Sequence, residues 1–225
     1  MRINIAIDGP SAAGKSTIAK VLAERLGYVH LDTGAMYRCV ALKALREKID
    51  LNDEDGLCRM LANTDIRLTP RSEVFLDGEE VTNEIRTDEI SLAASSVSKH
   101  AKVRSDLVSR QQEIARDKGF IMDGRDIGTV VLKNAEVKIY MVASPEARAL
   151  RRYRQNIEKG IPTSSVEIIA EEIRQRDYQD MNRENSPLRK ADDAFEIDTS
   201  DMTIEEVTER IMALATKFIH AGEEE

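Results

Sequence analysis

The stretch GPSAAGKS at residues 9–16 constrains the fold of this chain more than any other part of its sequence. It matches the pattern G-x-x-x-x-G-K-[ST], in which glycines let a loop turn back so that its backbone N–H groups surround a phosphate. The apolar run RINIAID before it predicts a buried strand, and Ile18, Val21 and Leu22 recur at helical spacing after it. A strand, a phosphate-binding loop and a helix in this order predict an α/β domain that binds a nucleoside triphosphate.

The residues of this phosphate loop each have a predicted role in binding ATP. Its backbone N–H groups, with the positive end of the helix dipole behind them, are expected to bind phosphate oxygens. Lys15 is expected to reach the β- and γ-phosphates, Ser16 to ligate the Mg²⁺ that bridges them, and Thr17 to lie near the α-phosphate. The predicted ATP-binding residues are Gly9, Pro10, Ser11, Ala12, Ala13, Gly14, Lys15, Ser16 and Thr17.

The rest of the chain alternates short apolar runs with helical patterns. The runs RINIAID, YVHL, FIM, VKIYMV and AFEID are predicted as strands. Such alternation predicts a mostly parallel five-stranded sheet flanked by helices, with ligands at the carboxyl ends of the strands. Residues 65–84 differ, because the pieces IRL, EVFL and EEVT surround the tight-turn dipeptide Asp77-Gly78. They predict a small antiparallel β-rich insert within one domain that spans residues 1–225.

Several helix starts carry capping signals. Ser164 with Glu167, and Thr203 with Glu206, match the capping box, in which each side chain binds the backbone N–H of the other residue. Asp32 precedes a predicted helix and is expected to cap it at least as much as to bind a ligand. The three histidines have no partner pattern, so satisfied or exposed side chains are expected there.

Composition excludes some classes of function and leaves others open. The net charge of -8 argues against a nucleic-acid-binding surface. No run approaches the roughly 18 apolar residues of a membrane span, and no signal peptide precedes the first strand, so a cytoplasmic protein is expected. Cys39 and Cys58 lack a metal-binding pattern and are expected to be reduced thiols. A monomer is expected, because no long apolar seam is left unassigned.

Arginine is concentrated in one part of the chain. Eight arginines fall between Arg148 and Arg189. The planar guanidinium suits phosphate, yet the same region is rich in acidic residues, so a phosphate site and a solvated helix face both stay open. The chain lacks the Asn-Lys-x-Asp motif of a GTPase, and its strands do not end in the Asp-Glu of a motor. These absences favour a kinase for a small molecule.

Four segments together resemble the bacterial cytidylate kinases: IAIDGPSAAGKSTIAK, HLDTGAMYR, MDGRDIGTVV and RDYQDMNR. The resemblance runs from about residue 3 to the final helix, and DTGAMYR and DGRDIGTVV are its most specific parts. It implies a P-loop kinase with a monophosphate-binding region at 33–104, the β insert at about 65–84 and a helical lid at 148–183.

The resemblance also implies an activity. The γ-phosphoryl group of ATP·Mg would pass to CMP or dCMP, giving CDP or dCDP plus ADP, in pyrimidine nucleotide metabolism. Two alternatives stay open: a P-loop kinase for another monophosphate such as UMP, and a nucleotide-binding module without transfer activity.

The same resemblance assigns the residues of the monophosphate site. Arg38, Arg125 and Arg183 would bind the phosphate of CMP, and Asp180 the ribose. Cytosine presents an amino donor and two acceptors, which Asp126 on one side and Ser95 with Arg104 on the other would satisfy. Uracil has a carbonyl in place of the amine, so it would face Asp126 lone pair to lone pair and be rejected. The predicted CMP-binding residues are Arg38, Ser95, Arg104, Arg125, Asp126, Asp180 and Arg183.

The lid arginines have a predicted role in the transfer itself. Arg148, Arg151 and Arg152 are spaced to share one helix face, as are Arg176, Asp180 and Arg183. The acceptor phosphate is already an anionic nucleophile, so catalysis needs alignment and charge neutralisation rather than a base. The predicted catalytic residues are Lys15, Arg152, Arg176 and Arg183. Asp123 is predicted to hold the Mg²⁺ through water, together with Ser16. Position 179 is often Arg in the family and is Gln here.

Overall fold

The computed structural model describes residues 1–158 and 160–221; residue 159, within the predicted turn, and residues 222–225 lie outside this description. The described residues form a five-stranded parallel sheet in which the first strand of the chain lies at the centre. From one edge to the other, the strands are β2 (Val29–Asp32), β6 (Phe120–Gly124), β1 (Ile5–Asp8), β7 (Val137–Val142) and β8 (Phe195–Asp198). The predicted sheet is confirmed, and all of its strand pairs are parallel.

Helices cover both faces of this sheet, as expected for buried parallel strands whose apolar runs do not alternate. Ile5 and Ile7 of β1 pack on one face and Ala6 on the other, and all three are fully buried. The helices of the described residues are α1 (Lys15–Leu26), α2 (Thr33–Arg46), α3 (Glu54–Leu61), α4 (Asp88–Val97), α5 (Ala101–Ile114), α6 (Pro145–Glu158), α7 (Val166–Asn182) and α8 (Ile204–Ala221). None of them is both long and apolar enough to span a bilayer.

The insert predicted at residues 65–84 is a three-stranded antiparallel sheet. Its strands are β3 (Ile66–Leu68), β4 (Val74–Leu76) and β5 (Glu79–Glu80). Asp77 and Gly78 join β4 to β5 with φ angles of 50° and 87°, the left-handed values that a two-residue hairpin turn of this kind needs. Only two residues of the predicted strand EEVT are extended and paired.

Local signals in the sequence placed most element boundaries correctly. Gly27 ends α1 in the left-handed conformation, and the Asp32 carboxylate accepts the backbone N–H of Ala35 at the start of α2. Thr203 and Glu206 form the predicted capping box, with each side chain accepting the other residue's backbone N–H. The predicted cap at Ser164 is wrong by one residue: Ser165 accepts the Ile168 N–H and begins α7.

The helices α6 and α7 form a hairpin with a small apolar core of its own. Ala149 of α6 packs with Ile169, Ala170 and Ile173 of α7, and each of these four side chains is at most 4% exposed. The two helices bury apolar surface mainly against each other, so this hairpin has a small core of its own beside the sheet. Its role as a lid stays a prediction.

Candidate active site

The phosphate loop lies at the carboxyl end of β1, where its backbone is tightly constrained. Gly9 and Gly14 have φ angles of 152° and 90°, and a Cβ added at Gly9 would lie 2.2 Å from the carbonyl oxygen of Met141. Only glycine therefore fits at position 9. Ala12 also has a positive φ, 59°, so an L-residue adopts a strained conformation inside the loop.

The side chain of Lys15 is folded into the loop and is 6% exposed. Its Nζ donates a hydrogen bond to the carbonyl oxygen of Pro10 at 2.7 Å. Burial and the nearby positive charge of Arg125 lower the pKa of Lys15 to about 7. A negatively charged ligand such as a polyphosphate would stabilise the charged form of this ammonium.

Ser16 contacts a chain of polar groups from β2, α2 and β6. Its hydroxyl donates to Asp123 Oδ2 at 2.7 Å, His30 Nε2 bonds Asp123 Oδ1 at 2.7 Å, and Thr33 donates to the Asp123 carbonyl oxygen. Burial alone would raise the pKa of Asp123, but the hydrogen bond and charge of His30, with Lys15, bring it below its usual value. A hydroxyl and a carboxylate in contact are hard oxygen donors, which suit Mg²⁺.

Asp123 lies one residue further into the sheet than the sequence indicated. The strand predicted as FIM continues to Gly124, and Asp123 pairs in register with Asp32 and with Ile7. Arg125 and Asp126 follow the last residue of β6 directly, so both lie at the carboxyl edge of the sheet, where ligands were expected.

A buried ion pair lies at the start of α5. Arg104 donates from NH2 to Asp126 Oδ2, and the two side chains are 5% and 7% exposed. The ring of Tyr37 lies beside it, with its centroid 5.3 Å from the Arg104 guanidinium carbon. The pair engages Oδ2 of Asp126, and the Tyr37 ring gives the region a flat aromatic surface beside polar groups.

Ser95, the other predicted base contact, lies on α4 and is half-buried. Within the described residues its hydroxyl donates to the Ser91 carbonyl oxygen at 3.3 Å and makes no bond to Arg104 or Asp126. A serine hydroxyl in this back-bonded position is free to rotate toward a ligand.

Arginines from three parts of the chain converge beside the phosphate loop. Arg125 donates from Nε to Asp180 Oδ2 at 2.8 Å, and Arg38 donates to Asp32 Oδ2 at 2.8 Å. Burial, and then the positive charges of Arg125, Arg152 and Arg38, lower the pKa of Arg176 to about 10.

Several nitrogens of this arginine cluster lack protein partners. Among the described residues, buried nitrogens without a hydrogen bond include Nε of Arg38, Arg104 and Arg176 and NH2 of Arg183. Burial and the charge of Arg104 also lower the pKa of Arg183. Guanidinium groups that repel one another and keep unused donors form a site for anions.

Two lid arginines do not point where helical spacing predicted. Arg148 is 3% exposed and donates to the carbonyl oxygens of Ala143 and Ser11 and to Asp177 Oδ2 at 2.6 Å. Arg151 donates to the carbonyl oxygens of Thr199 and Ser200, beyond β8. The expectation that Arg148, Arg151 and Arg152 present their side chains together is therefore wrong for Arg148 and Arg151, because the first binds the phosphate loop and α7 and the second binds the residues after β8.

Sequence patterns missed three polar groups of this site: His30, Tyr37 and Asp8. His30 contacts Asp123 across two paired strands, so no local spacing in the sequence predicts this contact. Tyr37 had a signal, since it lies inside DTGAMYR next to Arg38. Asp8 is 4% exposed at the end of β1, and burial raises its pKa to about 6 despite hydrogen bonds from the Gly128 and Ile127 N–H groups.

The raised pKa of Asp8 predicts a pH-dependent stability. A folded-state pKa of about 6, above the usual 3.8, means that the native protein binds the proton more tightly than the unfolded chain. Relative to Asp8→Asn, the wild type should therefore lose about 3 kcal/mol of unfolding free energy as the pH rises from about 3 to about 7. Denaturant unfolding of both proteins at several pH values measures this difference, and parallel curves would contradict it.

The fold and the site define a P-loop phosphotransferase: a parallel sheet, a phosphate loop at its central strand and a cluster of arginines beside that loop. The chain also resembles in structure a shikimate kinase from Bacteroides thetaiotaomicron, with a TM-score of 0.51, 12% identity, and coverage of 96% of this chain and 99% of that one. At this identity the similarity concerns the fold alone.

A sequence model of the cytidylate kinase family matches residues 5–217. A cytidylate kinase from Geobacillus sp. (strain WCH70) is 52% identical over 220 residues, 96% of this chain and 98% of that protein. One from Bacillus subtilis (strain 168) is 52% identical over 214 residues, 94% and 95% of the two chains. The chain belongs to the cytidylate kinase family, and the resemblance inferred from the sequence is confirmed.

Proposed function

We propose that this protein transfers the γ-phosphoryl group of ATP·Mg to CMP or dCMP, giving CDP or dCDP plus ADP. The observation that carries the proposal is the arginine cluster between the phosphate loop and the Arg104–Asp126 pair. Its unpaired nitrogens and the depressed pKa of Arg176 fit two phosphates that approach each other there. Family membership supports the same reaction.

The donor side is the phosphate loop. Lys15 leaves Pro10 to bind the β- and γ-phosphates, and the negative charge of ATP keeps its ammonium protonated. Ser16 and Asp123 would hold the Mg²⁺ of ATP·Mg, the hydroxyl as a ligand and the carboxylate through water. The ion would supply charge neutralisation for the phosphates of ATP. His30 keeps the Asp123 carboxylate turned toward Ser16.

The acceptor side of the site recognises the cytosine base and binds the phosphate of CMP. Asp126 Oδ1 accepts the cytosine amine while Oδ2 stays with Arg104, so the ion pair fixes the direction of the carboxylate. Arg104 and Ser95 donate to the acceptors of the base. Arg38, Arg125 and Arg183 bind the monophosphate and Asp180 the ribose, with Arg125 and Asp180 already paired.

The transfer step needs no general base in this site. The attacking oxygen belongs to a phosphate that is ionised at neutral pH, so the protein has to align it and neutralise charge. Arg152 lies close enough to Arg176 for its charge to lower the pKa of Arg176, and both side chains contact the transferring group when the lid covers ATP. The predicted compartment is still the cytoplasm, which contains ATP and nucleoside monophosphates. The predicted oligomeric state is still a monomer.

A substrate panel tests the proposal. Purified protein with ATP·Mg is expected to release ADP rapidly with CMP and dCMP, and at least about a hundredfold more slowly with UMP, because uracil leaves Asp126 and its own carbonyl unpaired. AMP and GMP, whose purines are larger than the pyrimidine, serve as the other members of the panel. Steady-state kcat/KM for each monophosphate is the measurement.

The outcomes of this panel separate the alternatives. A preference for UMP would keep the phosphate loop and the arginine cluster as assigned and overturn the base-reading residues. ADP release that no monophosphate stimulates would overturn the kinase assignment and favour a binding module.

A further inference from the structure

The carboxylate of Asp8 connects the phosphate loop to the loop that follows β6. It lies directly before the phosphate loop, and its oxygens accept the backbone N–H groups of Ile127 and Gly128, each at 2.7 Å. These residues follow Arg125 and Asp126. We infer that Asp8 is a positioning residue for the monophosphate: it fixes the loop that carries Arg125 and Asp126 and so sets the affinity and base preference for the acceptor, without touching it.

The loop after β6 needs this contact because of its backbone conformation. Ile127–Val131 form a single turn of π-helix, and the Asp126 carbonyl oxygen accepts the N–H groups of Val130 and Val131. The first N–H groups of such a turn have no partner within it. An aspartate at the preceding position would ordinarily accept them with its own side chain.

Asp126 does not cap this turn. It stands at the capping position, yet its side chain makes no cap hydrogen bond and is turned to Arg104 instead. Asp8 supplies the missing acceptors from the neighbouring strand. The carboxylate of Asp126 is therefore free for the ion pair and for the base, and that freedom depends on Asp8.

The contact between Asp8 and the Ile127 and Gly128 N–H groups is buried. A Cβ added at Gly128 would lie 3.4 Å from Asp8 Oδ2 and 3.2 Å from Cδ of Lys138 on β7. Among ionisable neighbours, Asp126 opposes the charge of Asp8 and Lys15 favours it. Two adjacent N–H groups need two acceptor oxygens, which a carboxylate offers and an amide does not, since one end of an amide is a donor.

The substitution Asp8→Asn tests the inference, which rests on the proposed function. The amide would place N–H against N–H at one of the two contacts and displace the loop. We expect KM for CMP to rise about tenfold or more and the CMP-over-UMP preference to fall about tenfold. The affinity for ATP alone, from calorimetry without monophosphate, should stay within about threefold, and kcat at saturating CMP should fall less than kcat/KM.

Asn4 provides the matched control. It is a buried polar residue directly before β1, at the opposite end of the strand from Asp8, and it binds the Ala115 carbonyl oxygen and the Phe120 N–H. Asn4→Ala should lower stability and leave KM for CMP and the base preference at wild-type values.

Three results would overturn the inference. One is an Asp8→Asn enzyme with wild-type KM and base preference. Another is an Asn4→Ala enzyme that shows the same kinetic changes as Asp8→Asn, since the effect would then be a general consequence of destabilisation. The third applies if Asp8→Asn does not fold. Asp8→Ala, which removes both acceptor oxygens without adding a donor, would then have to raise KM for CMP, and an unchanged value would contradict us. Failure of the proposed function is seen separately, in the wild-type panel.

Discussion

Replacing Lys15 by methionine is expected to lower kcat for CMP phosphorylation by about a thousandfold or more while the protein stays folded. Lys15 is the cation of the phosphate loop, and Met keeps most of its length without its charge. The free protein already holds this side chain with a pKa near 7 because burial disfavours the ammonium. Removing the charge therefore relieves a desolvation penalty in the empty loop and affects mainly the complex with ATP.

Lys20→Met is the matched control for this prediction. Lys20 lies on the same helix, α1, and is exposed to solvent. The control should keep wild-type kcat and KM, and thermal unfolding of both variants should stay close to that of the wild type. A Lys15→Met enzyme that retains a tenth or more of wild-type kcat would contradict the role given to Lys15.

Replacing Asp126 by asparagine is expected to remove the preference for cytosine. The amide can turn an N–H donor toward the uracil carbonyl, and Arg104 loses its buried counter-charge. We expect kcat/KM for CMP to fall about a hundredfold and that for UMP to fall less or to rise, so that the ratio of the two approaches one. Measuring kcat/KM for both monophosphates in the same preparation gives this ratio directly.

Loss of one partner of a buried pair also destabilises a protein, by about 3–5 kcal/mol. The control for Asp126→Asn is therefore Asp177→Asn, which breaks another buried pair, with Arg148. Asp177→Asn should lower the free energy of unfolding similarly and keep the CMP-over-UMP ratio. A ratio that changes equally in both variants would mean that stability, not base reading, explains the result.

The sequence predicted those parts of the fold that depend on neighbouring residues. The phosphate loop, the turn at Asp77-Gly78 and the capping box at Thr203 each rest on a few consecutive positions, and the structure confirms all three. The start of α7 was harder, because Ser164 and Ser165 are both able to cap and only the backbone decides which of them does.

Contacts between distant segments were not predictable from local patterns. Helical spacing gives the direction of Arg148 on α6, but not the packing of α6 on the phosphate loop that turns this side chain inward. Asp8 and His30 acquire their partners from the pairing of β1 and β2 with β6, which only the folded sheet defines. The residues assigned to the base came from resemblance to a family, and their roles stay predictions.

The buried guanidinium of Arg148 has a thermodynamic consequence. It binds the Ser11 carbonyl oxygen in the phosphate loop and the Asp177 carboxylate in α7, so one side chain links the phosphate loop to the α6–α7 hairpin. If ATP binding displaces the loop, it changes the relative free energies of the hairpin's arrangements, and by reciprocity the arrangement that ATP favours must bind ATP more tightly. ATP binding and the position of the hairpin then belong to a single equilibrium.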